Sequence, residues 1–164
     1  MTQRIAGTDS SITRDRDNES FKRPQMQTNR SKTVLIVEDE QDVIDLLAVR
    51  LLKDTSYTIS TATDGLSALE KARSELPWLI ILDLMLPKMS GLEVCKILKG
   101  DRVTREIPII ILSASDDQEI VARAFKLGAL GFIPKTKERE IMLSAIELVL
   151  AGDIYIPSEI LDRK

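Results

Sequence analysis

From Thr33 onward, short runs of aliphatic and β-branched residues alternate with longer stretches in which apolar residues recur at helical spacing. The runs Thr33 to Val37, Tyr57 to Thr61, Trp78 to Leu82, Pro108 to Leu112 and Gly131 to Ile133 predict five strands. Between and after them, Asp42 to Lys53, Gly65 to Leu76, Gly91 to Lys99, Asp116 to Leu127 and Lys137 to Leu150 predict five amphipathic helices, as in the spacing of Leu66, Leu69, Ala72 and Leu76. The first, third and fourth runs are almost purely Val, Ile and Leu. Strands of that kind are covered on both faces, so the alternation predicts an α/β fold, a (βα)5 doubly wound parallel sheet with helices on either side.

Met1 to Lys32 breaks the pattern. It is rich in Ser, Thr, Asn, Gln, Arg and Asp and lacks apolar periodicity, so it cannot offset the entropy of ordering and is expected to be a disordered tail. The domain is expected over residues 33–152, and residues 153–164 read as a linker-like extension. The tail holds seven Lys/Arg against four Asp/Glu while the whole chain carries −3, so the domain itself is acidic and no direct DNA binding is expected of it. The lone Cys95 excludes an internal disulfide, and no apolar run approaches the roughly 18 residues of a membrane span, which together suit a cytoplasmic protein. The chain has no histidine at all, which removes Ser/His and Cys/His nucleophile pairs, His-ligated zinc and phosphohistidine chemistry within it. Chemistry must therefore run on carboxylates, hydroxyls and lysine.

Doubly wound sheets place their sites beyond the carboxyl ends of the strands, and right-handed crossovers put all those ends on one edge. There the sequence supplies Glu38 and Asp39 after the first run, Asp83 after the third, Ser113 after the fourth and Lys135 after the fifth. Three crowded carboxylates repel unless a cation neutralises them, and oxygen-only ligands favour Mg²⁺ over zinc or copper. Taken singly these residues have plainer roles: an Asp closing a strand serves as a turn residue, Asp39 or Glu40 favours a helix start, and Ser113 and Lys135 would be polar surface groups.

The segments Val37-Glu38-Asp39-Glu40, Leu82-Asp83-Leu84-Met85-Leu86-Pro87-Lys88-Met89-Ser90-Gly91, Leu112-Ser113-Ala114 and Gly131-Phe132-Ile133-Pro134-Lys135 resemble, in order, the motifs of the bacterial response-regulator receiver domain. The resemblance runs from about Lys32 to Pro157, with Ser113 thirty and Lys135 fifty-two positions after Asp83. It implies a flavodoxin-like five-stranded fold and a signalling switch instead of an enzyme with a separate substrate. In that reading Asp83 is the phosphoacceptor, and Glu38, Asp39, Asp83 and the backbone carbonyl of Met85 hold Mg²⁺. Ser113 and Lys135 bind phosphoryl oxygens, and Ser113 with Phe132 forms the switch. The implied partners are a sensor histidine kinase or histidine phosphotransfer protein, a downstream target the sequence does not name, and a second copy docking through the face of helix four, strand five and helix five.

Two features refine the resemblance. Lys135 is preceded by Pro134 and followed by Thr136, a departure from the usual Lys-Pro order that puts the family's cis bond there in doubt. The stretch Gly128 to Lys135 with Gly152-Asp153-Ile154-Tyr155-Ile156-Pro157 looks like the NarL/LuxR-type transcription regulators, whose helix-turn-helix would need several dozen residues beyond Lys164. Rival classes fit worse. A dehalogenase-type phosphatase needs a second acid where Met85 stands, and an ATPase needs a phosphate-cradling G-x-x-x-x-G-K-[ST] loop that the chain lacks. A pseudo-receiver adaptor usually loses one of the acids or the lysine.

Overall fold

The computed structural model describes residues 32–54 and 56–162. The tail expected over residues 1–32 therefore lies, apart from Lys32, outside the described residues. Five strands, β1 (Thr33–Val37), β2 (Thr58–Ala62), β3 (Leu79–Asp83), β4 (Ile109–Ser113) and β5 (Gly131–Pro134), pair in parallel in the order β2-β1-β3-β4-β5. Between and after them run α1 (Gln41–Asp54), α2 (Gly65–Glu75), α3 (Gly91–Gly100), α4 (Gln118–Lys126), α5 (Glu138–Leu150) and the short α6 (Ser158–Leu161).

The alternation of strand side chains splits the core into two layers. Leu35, Val37, Ile80, Leu82, Ile109, Ile111 and Phe132 face one side and pack on α2, α3 and α4 through Ala68, Ala72, Val94, Cys95, Leu98, Val121 and Ala124. Val34, Ile36, Leu79, Ile81, Ile110, Leu112 and Ile133 face the other and pack on α1 and α5 through Ile44, Leu47, Leu51, Met142, Ala145, Ile146 and Val149. All residues of β3 and β4 are buried, which is why those runs carry no polar alternation.

Local chemistry sets the helix ends. The Asp64 carboxylate accepts from the Ser67 N–H at 2.8 Å and starts α2. α2 closes on Leu76, which adopts φ 47°, and Pro77 behind it cannot extend the helix. Ser90 and Glu93 form a reciprocal capping box at the start of α3. The segment expected to be linker-like is folded onto the body from 153 to 162. Tyr155 bridges Gly131 in parallel and Ile160 of α6 is buried in the layer that holds α4.

Candidate functional site

The carboxyl ends of β1, β3 and β5 bring Glu38, Asp83 and Lys135 together on the α1/α5 side of the sheet edge. β3 carries Asp83 as its last residue, in register with Leu112, and β4 ends on Ser113, in register with Pro134. A 2.7 Å hydrogen bond from the Lys135 N–H to the Ser113 carbonyl ties the ends of β4 and β5. β3 and β4 therefore each end one residue beyond the apolar runs, because a polar last residue can keep the ladder.

One carboxylate oxygen each of Glu38, Asp39 and Asp83 lies within 4.8 Å of the other two. Glu38 is fully buried and Asp83 nearly so, whereas Asp39 is exposed. Glu38 Oε1 accepts from the backbone N–H groups of Asp39 (3.1 Å) and Glu40 (3.2 Å), which aims Oε2 at the cluster. Lys135 Nζ lies 2.9 Å from Glu38 Oε2 and 3.4 Å from Asp83 Oδ1. Glu38 Oε2 and both Asp83 carboxylate oxygens are buried, and the ion pairs to Lys135 compensate them only in part.

Burial, aided by the negative Asp83 and opposed by Lys135, pushes Glu38 up to about 7. Burial likewise raises Asp83 above the ordinary carboxylate range, against the pull of Lys135. For Lys135 burial acts downward, but the neighbouring Glu38 and Asp83 outweigh it and hold the ammonium above its usual value. Two buried acids thus share one lysine, and the third acid stands at the solvent edge. Buried oxygen ligands in a cluster of this kind fit a hard divalent cation, as its charge would compensate the carboxylates that one lysine cannot.

Ser113 and Phe132 fall on the opposite, α4-side layer. The Ser113 hydroxyl accepts from the Ser115 N–H at 3.1 Å, and Phe132 is wholly buried with Val121 and Ala124 of α4. Met85 is 75% exposed in the loop two residues after Asp83. No cis peptide bond occurs among the described residues, Pro134 included.

Two contributors escaped the sequence reading. Glu40 reaches to 3.7 Å from Lys135 Nζ from a largely exposed position. Gly91 donates to the Leu84 carbonyl at 2.9 Å, and a Cβ there would stand 2.2 Å from the Asp83 carbonyl oxygen and 2.7 Å from Leu84 Cα. The start of α3 therefore presses on the backbone that carries Asp83. The only sequence signal was a glycine directly behind a good N-cap, Ser90.

The response regulator receiver domain family matches residues 34–147, and this chain belongs to that family. It is 36% identical over 129 residues to the alkaline phosphatase synthesis transcriptional regulatory protein PhoP of Bacillus subtilis, covering 78% of this chain and 52% of PhoP. It is 38% identical over 117 residues to the response regulator ArlR of Staphylococcus aureus, covering 71% of this chain and 52% of ArlR. The chain thus spans about half the length of these relatives. Among solved structures, a LuxR-family two-component response regulator from Aurantimonas sp. SI85-9A1 superposes with a TM-score of 0.74 at 23% identity, over 80% of this chain and 93% of that one. The BeF3-activated N-terminal receiver domain of Klebsiella pneumoniae RstA gives 0.66 at 30% identity, over 72% and 97%. The protein is a receiver domain of two-component signalling with the five-stranded flavodoxin-like fold.

Proposed function

We propose that the protein accepts a phosphoryl group on Asp83 from a phosphohistidine of a separate kinase or phosphotransfer protein. The observation that carries this reading is the buried Asp83 carboxylate, ion-paired to the Lys135 ammonium at 3.4 Å and inside the three-acid cluster. A carboxylate oxygen of Asp83 attacks phosphorus. The new O–P bond forms as the bond from phosphorus to the donor's imidazole nitrogen breaks, and that nitrogen keeps the electron pair. Lys135 neutralises charge on the peripheral phosphoryl oxygens, and the Ser113 hydroxyl turns from its local contact to donate to one of them. Because these 164 residues contain no histidine, the phosphoryl donor lies outside them, as a phosphohistidine or a small acyl phosphate.

Glu38, Asp39, Asp83 and the Met85 carbonyl would hold Mg²⁺. The ion supplies charge compensation to the carboxylates and to the transferring group. Glu38 Oε1 is committed to backbone N–H groups, which leaves Oε2 as its metal-facing atom. On this reading the protein works in the cytoplasm as a switch, with its output delivered to a target through the α4, β5 and α5 face. Incubation with acetyl phosphate and Mg²⁺, read by intact mass, is expected to add one phosphoryl group to the wild type and none to Asp83→Asn. Equal labelling of the two proteins would overturn the assignment.

A further inference from the structure

The segment from Asp153 to Asp162 lies across the outer edge of β5 and the flank of α4. The Phe132 N–H donates to the Tyr155 carbonyl at 3.0 Å and the Tyr155 N–H donates to the Leu130 carbonyl at 2.8 Å, so the segment adds one rung to the sheet beyond β5. Further on, the Gln118 side-chain amide at the start of α4 donates to the Ile160 carbonyl at 3.1 Å. Ile160 is 4% exposed and shares its apolar layer with Phe132, Val121 and Ala124. The fit is incomplete. A cleft of about 410 Å³ remains between α4 and the segment, and Ile154 and Leu161, which line it, are 59% and 63% exposed.

We propose that residues 153–162 form a strap that holds β5 and α4 in their unphosphorylated arrangement and is loosened when Asp83 is phosphorylated. This rests on the phosphoacceptor reading above. The connection to the site is short and made of backbone. Ser113 at the end of β4 accepts from the Lys135 N–H, Lys135 continues directly from β5, and the outward N–H of Phe132 on that strand is the one the strap engages. Drawing Ser113 and Lys135 toward a phosphoryl group shifts β5 along its length, and the strap, anchored to both β5 and α4, cannot follow both elements if they move apart. Phe132 couples the two, because its side chain packs under α4 while its backbone pairs with the strap. While it is seated, the strap also covers the edge of β5 and part of α4, surfaces that a partner using the α4, β5 and α5 face needs.

Linkage makes the proposal quantitative. If a phosphoryl group favours the open strap by some factor, opening the strap by mutation favours the phosphoryl group by the same factor. The test uses the full chain with beryllofluoride and Mg²⁺ as the phosphoryl mimic. Hydrogen exchange at the Phe132 and Tyr155 amides should accelerate at least tenfold on adding the mimic, and Ile160→Asp should bind it at least fivefold more tightly than wild type. Gln118→Ala, which removes the side-chain hydrogen bond to the Ile160 carbonyl, should move affinity in the same direction by a smaller factor. If the mimic shifts signals across Ser113 to Leu127 while the Tyr155 exchange rate and the affinities of both variants stay at their unperturbed values, the strap is a static cap and the proposal fails with the phosphoacceptor reading intact. If wild type and Asp83→Asn respond alike to the mimic, both fail.

Discussion

Replacing Asp83 by Asn should stabilise the metal-free protein, although it removes the proposed phosphoacceptor. Asp83 Oδ1 lies 3.4 Å from Lys135 Nζ, an attraction of about 5 kcal/mol at an effective dielectric of 20. The carboxylate oxygens of Glu38 and Asp39 lie within 4.8 Å of Asp83, giving, at a pH above about 8 where Glu38 is ionised, at least about 3.5 kcal/mol of repulsion from buried Glu38 and about 1 kcal/mol from solvated Asp39. The pairwise energies nearly cancel, so burial decides. Burying an incompletely paired ion costs several kcal/mol and burying an amide roughly 1–3, which leaves about 1–2 kcal/mol in favour of the Asp83→Asn variant. The sign agrees with the raised pKa of Asp83, which marks the charged form as the less favoured one in the fold. Urea denaturation in EDTA measures this directly. Adding Mg²⁺ at ten times its dissociation constant should stabilise the wild type by about 1.4 kcal/mol and Asp83→Asn by much less, so the order of the two proteins narrows or reverses. A variant destabilised by more than about 1 kcal/mol in EDTA would refute the picture of mutually repelling buried acids.

Other consequences can be measured alongside. Gly91→Ala sets a Cβ against backbone atoms of Asp83 and Leu84 that cannot swing aside, and should cost about 3 kcal/mol in urea denaturation and slow acetyl phosphate labelling; a change below about 0.5 kcal/mol would contradict the close approach. Lys88 adopts φ 70° in the loop before α3, and its ion pair with Asp64 at 3.4 Å is solvent-exposed, so Lys88→Gly should raise stability by up to about 1 kcal/mol. With Glu38 at about 7 instead of its usual 4.5, the metal-free folded state holds a proton that the unfolded chain has released across that window, and stability should fall as pH rises from about 5 to 8. Thermal melts in EDTA check this, and a melting temperature that climbs over that range would exclude a raised Glu38.

The layers were legible where the chain repeats itself. Ile80-Ile81-Leu82 and Ile109-Ile110-Ile111 state their burial on both faces without help from the rest of the molecule. The ligand edge followed from topology, and the acids and the lysine meet where the strand ends direct them. What stayed hidden was pairing that depends on a distant partner. Gly152, Asp153 and Pro157 have the composition of a linker, and only the open edge of β5 gives Tyr155 something to pair with. The pressure of Gly91 on Asp83 depends equally on how α3 meets the β3 loop, a distance that sequence spacing does not encode.

The strand order carries a consequence for how the protein is made. β1 pairs with β2 and β3, but Lys135 arrives with β5, the last strand of the sheet to be synthesised. A nascent chain long enough to form β1 and β3 already brings Glu38 and Asp83 together without their lysine, and long-range parallel pairing is slow to form. At that stage the acids favour staying protonated or solvated, so the end of the half-built sheet is held loosely. Docking of β5 then supplies both the missing hydrogen-bond ladder and the missing positive charge. The last strand of the sheet and the electrostatic completion of the pocket thus come together, and a ribosome stalled before Lys135 emerges would display the acids and Ser113 without the lysine that balances them.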